Sequence, residues 1–148
     1  MDTSPPRLIL DKTLYTAHAT ASSGREGRVR SDDGNIDLAV VRPRELGGKG
    51  EPGTNPEQLF AAGYAACYGS ALTLVARQRR AGTGPVSVTA HVSLGPAGGG
   101  AYAIAVDLVA TIPEVSREEG EELMRAAHLV CPYSNAIRGN IAVNLRLA

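Results

Sequence analysis

Two stretches of the chain alternate apolar and polar residues with a period of two. PVSVTAHVSLG places Val86, Val88, Ala90, Val92 and Leu94 on one side, and AYAIAVDLVATI does the same with Tyr102, Ile104, Val106, Leu108, Ala110 and Ile112. This alternation predicts two half-buried strands joined by the glycine-rich turn PAGGG. Nearer the start, NIDLAVV alternates Ile36, Leu38 and Val40 and predicts another strand. Before it, KTLYTAHATA reads as a strand, SSGREG as a turn and RVRSDDG as a polar strand, so the first forty residues read as an antiparallel meander. IAVNLRLA closes the chain as a final strand.

Between the third strand and the first helix lies RPRELGGKGEPGTN, with four glycines and two prolines, a long loop. A glycine-rich loop before a helix invites a phosphate-binding reading. However, Lys49 is followed by Gly50, and the G-x-x-x-x-G-K-[ST] spacing is absent. The helix that follows is well marked. Asn55 suits the N-cap, Pro56 the first turn, and Gln58 completes a capping pattern. It can run to Arg80, just before Gly82, and carries no charge from Leu59 to Ala76. A helix apolar all round is expected in a core, with Arg77, Arg79 and Arg80 emerging at its end. SREEGEELMRAAHLV opens with a second capping pattern, Ser116 and Glu119, and CPYSNAIRG predicts a short helix with Pro132 in its first turn. The order βββ-α-ββ-α-α-β is an α+β pattern.

The 148 residues suffice for one domain, and fifteen basic residues cancel fifteen acidic ones, so no basic footprint points to nucleic acid. No apolar run is read as long enough for a membrane span. MDTSPPRLIL makes a poor signal peptide, which leads to an expected cytoplasmic location with residues 1–12 as a tail and 13–148 as a single domain. In that compartment a disulfide between the two cysteines, Cys67 and Cys131, would be transient and catalytic rather than a staple. With one Phe, five Tyr and no Trp, an alanine-rich chain needs close backbone approaches or a partner subunit to bury enough area.

Cys67 lies in AAGYAACYGSAL, with Tyr64, Ala71 and Leu74 on its helical face. By itself it reads as a small core residue. Cys131 precedes Pro132 at a helix start, where a thiolate is favoured, or else it is a partly buried cap. Zinc does not fit: the cysteines are far apart in sequence and His18, His91 and His128 are scattered. His128 stands three residues before Cys131, and a Cys-His hydrolase needs such a histidine beside its nucleophile. Arg25 by itself reads as a solvated turn residue, and Glu57 as a partner for the helix N-terminus.

NPEQLFAAGYAACYGSAL and VCPYSNAIRGN, together with LYTA and GREG, resemble the organic hydroperoxide resistance proteins, a branch of the superfamily named after osmotically inducible protein C. The likeness runs from Leu14 to the C-terminus, with Glu26 standing where aspartate is more usual. It implies antiparallel sheets wrapped around a long buried central helix, in an intertwined homodimer. It also implies a thiol peroxidase for organic hydroperoxides. Cys67 would be the peroxidatic cysteine and Cys131 the resolving one, with Arg25 and Glu57 in the active site and Tyr133 beside it. No bound cofactor is implied; the reductant would be dihydrolipoyl groups on a lipoylated carrier protein. Leu59, Phe60, Met124 and Ile137 are expected to line an apolar pocket for alkyl or fatty-acid hydroperoxides.

These residue types suit that chemistry. The attacking species is a thiolate, and lowering a thiol pKa by about two units takes roughly 2.7 kcal/mol of differential stabilisation. A partly desolvated guanidinium can supply that, while a carboxylate such as Glu57 would serve by orienting the arginine. Glu57 and Cys67 stand ten positions apart, about 15 Å along one helix and roughly 80° around it, so on a straight helix they cannot meet. Either the helix breaks, or Glu57 serves the Cys67 of another subunit across the small residues Ala61, Ala62, Ala65 and Gly69; the second is favoured. Rival readings are the broader-specificity osmotically inducible branch and a non-enzymatic thiol redox sensor.

Overall fold

The computed structural model describes residues 7–148 in two compact units, one ending at Leu59 and the other spanning Phe60–Ala148. Pro5 and Pro6 of the expected tail lie outside the described residues. The first unit is the antiparallel meander β1 (Ala19–Ser22), β2 (Arg28–Ser31) and β3 (Asp37–Ala39). The first strand is shorter than its sequence suggests. KTLYTAHATA pairs only in its last residues, because its partner β2 ends at the Asp32–Gly34 turn, where Asp33 accepts from the Asn35 amide. Leu14 and Tyr15 are left 86% and 80% exposed. Among the described residues of this unit only Val40 is buried, and Ile36, Leu38 and Leu46 stay open to solvent. A segment that buries so little cannot offset the roughly 1–2 kcal/mol per residue lost in ordering its backbone.

The second unit has a proper core. β4 (Ser87–Pro96) and β5 (Tyr102–Thr111) form a ten-residue antiparallel ladder, as their alternation predicts. β6 (Val143–Leu147) joins the other edge of β5 in parallel. This departs from a wholly antiparallel pattern, and its cause is the connection. Between β5 and β6 the chain passes through α2 (Arg117–Val130) and α3 (Pro132–Ile137), a helical crossover that returns it running in the same direction. Glu119 donates its amide to the Ser116 hydroxyl at the start of α2, and Gln58 donates to Asn55 Oδ1 at the start of α1 (Pro56–Gln78). Both predicted caps are therefore present.

From Phe60 onward, α1 supplies the core of the second unit. Tyr64, Tyr68, Ala71, Leu72, Val75 and Ala76 pack with Val106, Leu108 and Ala110 of β5 and with Leu123, Met124 and Ala127 of α2. Fully burying a side chain such as Leu72 or Leu108 contributes about 1.5–3 kcal/mol. Gly120 of α2 leaves room for Leu147 of β6, whose Cδ2 would lie 2.9 Å from an added Cβ.

Two expectations for α1 are corrected. Only one face of it is buried: Ala62, Ala66, Ser70, Thr73, Leu74 and Arg77 are open within the chain, so Leu74 does not share the burial of Tyr64 and Ala71. By length and composition alone α1 would also suffice to cross a membrane, with a mean hydropathy of 1.5 over 18 residues. Alanine and glycine make up much of its charge-free run, set between larger apolar side chains such as Phe60, Leu72 and Val75.

Tyr68 is fully buried and donates to the Met124 carbonyl at 2.6 Å, and burial pushes its phenol pKa up. Tyr68→Phe keeps the ring and removes the bond between α1 and α2. Urea unfolding is expected to show a loss of about 1 kcal/mol.

Candidate active site

In the first unit, a tight turn between β1 and β2 presents Arg25. Ser23 and Gly24 take left-handed backbone angles, and Gly24–Glu26 form one 3-10 turn. Gly27 closes it so tightly that an added Cβ would fall 1.7 Å from the Ser22 carbonyl oxygen. This is why the sequence reads Gly-Arg-Glu-Gly there. Arg25 forms a two-pronged bond with Glu57, Nη1 to Oε2 at 2.8 Å and Nη2 to Oε1 at 2.5 Å. Their side chains are 26% and 17% exposed, so water screens the pair only in part. Hydrogen bonding to Arg25 holds the Glu57 carboxyl below the usual carboxylate range against an opposing push from burial, and the same bond raises the Arg25 guanidinium. Glu57 sits in the first turn of α1, where a helix also favours negative charge.

The second unit brings both cysteines together. Cys67 is partly exposed on α1, whereas Cys131 is fully buried at the junction where α2 stops and α3 begins. Pro132 forces that junction, because it cannot continue the α2 hydrogen-bond ladder and fits the first turn of α3 instead. Their sulfurs are 3.7 Å apart, at thiol hydrogen-bond distance. A disulfide needs them at about 2.05 Å, so the two sulfurs are adjacent but not bonded. Burial pushes the Cys67 thiol up; a backbone N–H from Tyr133 pulls it down, and the proton shared with Cys131 raises it again. On balance this environment favours the neutral thiol.

Tyr133 lies over α1 at Gly63. A Cβ there would come 2.6 Å from the Tyr133 hydroxyl, so glycine is what lets this ring settle against the helix. Phe60 meets Tyr133 and Tyr64 edge-on, with ring centroids 5.9 and 6.1 Å apart. Ile137 is partly buried against the core. Met124 is 2% exposed and packed within that core, and Leu59 is partly exposed at the end of the first unit. His128 does not pair with a cysteine: its Nδ1 bonds the Ser134 hydroxyl at 2.8 Å. Ser134 in turn bonds the Tyr64 hydroxyl at 2.6 Å. Neither Tyr64 nor Ser134 stood out in the sequence as more than a packing residue, although both lie within the two cysteine motifs.

The match to known proteins is extensive. Residues 47–146 fit the family model described as OsmC-like protein. An organic hydroperoxide resistance protein of Xanthomonas axonopodis pv. citri is 52% identical over 139 residues, covering 93% of this chain and 97% of its own. The chain belongs to the organic hydroperoxide resistance branch of the OsmC-like proteins. Solved members share its fold. A crystal structure of an organic hydroperoxide resistance protein from Legionella pneumophila superposes with a TM-score of 0.88 at 48% identity, covering 93% of this chain and 99% of that one. OhrB of Bacillus subtilis gives 0.86 at 45% identity, covering 92% and 100%.

The Arg25–Glu57 pair has a checkable titration. A carboxyl held below its ordinary value contributes stability fully above the unfolded pKa, near 4.3, and loses it as pH falls through the folded value. Carboxyl-detected NMR should find Glu57 titrating below the ordinary range. Arg25→Ala should move that titration upward, and an unchanged midpoint would show that the pair does not form in solution.

Proposed function

We propose that this protein is a cysteine peroxidase that reduces organic hydroperoxides to alcohols. The observation that carries the reading is the 3.7 Å approach of a half-exposed sulfur to a buried one, in a chain of this family. The Cys67 thiolate attacks the terminal peroxide oxygen, the O–O bond breaks, and the alkoxide takes a proton to leave as alcohol. Cys67 becomes a sulfenic acid. The Cys131 thiol then displaces its hydroxyl as water, giving the disulfide. A dihydrolipoyl dithiol on a carrier protein restores both thiols by exchange.

Arg25 is the cation of this mechanism. Near Cys67 it would stabilise the thiolate, and it would hydrogen-bond the peroxide oxygen on which negative charge develops. Glu57 holds the guanidinium in plane. The working unit is an intertwined homodimer in which the pair of one subunit serves the Cys67 of the other. Two features support this. α1 is one unbroken helix from Pro56 to Gln78, which excludes a break between Glu57 and Cys67. In addition, Ile36, Leu38 and Leu46 of the first unit and Ala62, Ala66 and Ser70 of α1 are left open in a single chain. Phe60, Tyr133 and Ile137 would offer apolar surface to an alkyl or fatty-acid hydroperoxide; Met124, 2% exposed in the core, would not. The proposed setting is the cytoplasm.

Cumene hydroperoxide consumption with dihydrolipoamide tests the reading. Wild type is expected to turn over many times, Cys67→Ser not at all, and Cys131→Ser once before stalling as a sulfenic acid. Stoichiometric oxidation of wild type without turnover would mark a sensor instead. Dimers mixed from Glu57→Ala and Cys67→Ser chains address the arrangement across subunits. One intact site should survive in each mixed dimer, and inactive mixed dimers would refute it.

A further inference from the structure

Cys131 sits in a bracket that the peroxidase chemistry leaves unused. His128 lies three residues before it on α2, and Ser134 three residues after it on α3. The two are joined across the junction, His128 Nδ1 to Ser134 Oγ at 2.8 Å. Ser134 is fully buried and reaches on to the hydroxyl of Tyr64, also fully buried, at 2.6 Å. Tyr64 stands three residues before Cys67 on α1. The chain therefore ties together the three helices that carry the two sulfurs. Arg138, just past the end of α3, donates to the His128 carbonyl and closes the bracket on its outer side.

Three polar groups in such an apolar setting need a reason. A buried hydroxyl without a partner costs about 1–3 kcal/mol, and apolar residues of the same shape would have filled the space without that risk. Here each group satisfies the next. Burial and the Arg138 charge both push the His128 imidazole toward its neutral form, in which Nδ1 can accept from Ser134 while Ser134 accepts from Tyr64. The chain is thus complete with no ion in it.

We propose that the Tyr64–Ser134–His128 chain is a positioning device for the resolving sulfur, holding the α2–α3 junction so that Cys131 stays within closing distance of the sulfenic acid on Cys67. This rests on the peroxidase reading and extends it. The step it serves is the condensation. The Cys131 sulfur forms a bond to the Cys67 sulfur, the Cys67 S–O bond breaks, and the thiol proton leaves with the hydroxyl as water. Cys131 is oxidised as the sulfenic sulfur is reduced. None of the three groups hydrogen-bonds the Cys67 sulfur, so they act on the condensation and not on the attack at the peroxide. A slow second step leaves the sulfenic acid open to further peroxide and to irreversible oxidation.

The test separates the two steps. Wild type, Tyr64→Phe, His128→Ala and His128→Asn are mixed with one equivalent of cumene hydroperoxide. Dimedone quenching and mass spectrometry then follow the Cys67 sulfenic acid, the disulfide and the over-oxidised forms, and thermal melts check the fold. Tyr64→Phe and His128→Ala should form sulfenic acid at the wild-type rate but condense about fivefold more slowly or worse, the effect of one lost hydrogen bond. In a parallel mixture with excess cumene hydroperoxide their over-oxidised fraction should rise. His128→Asn, which can still bond Ser134, should recover most of the condensation rate. Condensation at the wild-type rate in both Tyr64→Phe and His128→Ala would overturn the inference. Equal slowing of both steps, with His128→Asn no better than His128→Ala, would overturn it too and leave the chain a support for folding only. A wild type that forms no Cys67–Cys131 disulfide would instead overturn the peroxidase reading on which it stands.

Discussion

A half-exposed sulfur 3.7 Å from a buried one is the constraint around which the second unit is organised. Cys67 must sit mid-helix with a fixed neighbour, so α1 needs a rigid seat, which its tyrosine face finds against β5 and α2. Cys131 must point at that helix from a place where the chain changes direction. Pro132 stops α2 there and starts α3. Gly63 lets Tyr133 lie close to α1, and the parallel return of β6 anchors the segment that follows α3. Apart from the parallel pairing, each of these features is a local choice of residue type, and together they hold two thiols near each other without bonding them.

That arrangement alone does not make a nucleophile. The environment of Cys67 within its own unit raises its thiol pKa, chiefly by burial. A neutral thiol is a weak nucleophile, so the proposed chemistry turns on a positive charge. In the proposed mechanism Arg25 of another subunit supplies it. A turn that tolerates only glycine at Gly27 presents Arg25, and Glu57 grips it at two points. The carboxylate costs little there, because the start of a helix already favours it. Its role is to fix a plane of donors, which a free arginine on a hairpin would not hold.

Most of the fold was legible in the amino-acid sequence where local signals are strong. Asn55, Pro56 and Gln58 marked the start of α1, Ser116 and Glu119 that of α2, and strict alternation marked β4 and β5. What escaped depends on partners distant in the chain. Nothing in IAVNLRLA says that it pairs in parallel with β5, and nothing in KTLYTAH says that β2 is too short to reach it. The exposed side of α1 was hidden by composition, since alanine satisfies a buried face and an open one equally well. The cysteines were identifiable only as motifs, and Arg25 and Glu57 only through the family likeness. His128 stood out beside Cys131, but its link through Ser134 to Tyr64 escaped, because a hydrogen-bond chain across three helices leaves no spacing to read.

In the proposed mechanism Arg25 turns a disfavoured thiolate at Cys67 into a favoured one. The most direct measurement is the pH dependence of Cys67 alkylation by iodoacetamide in a Cys131→Ser background, with and without Arg25→Ala. With Arg25 present the midpoint should lie well below 8.5, the ordinary thiol value, and Arg25→Ala should carry it to that value or above. A midpoint at or above 8.5 with Arg25 in place, or one that Arg25→Ala leaves unmoved, would contradict it.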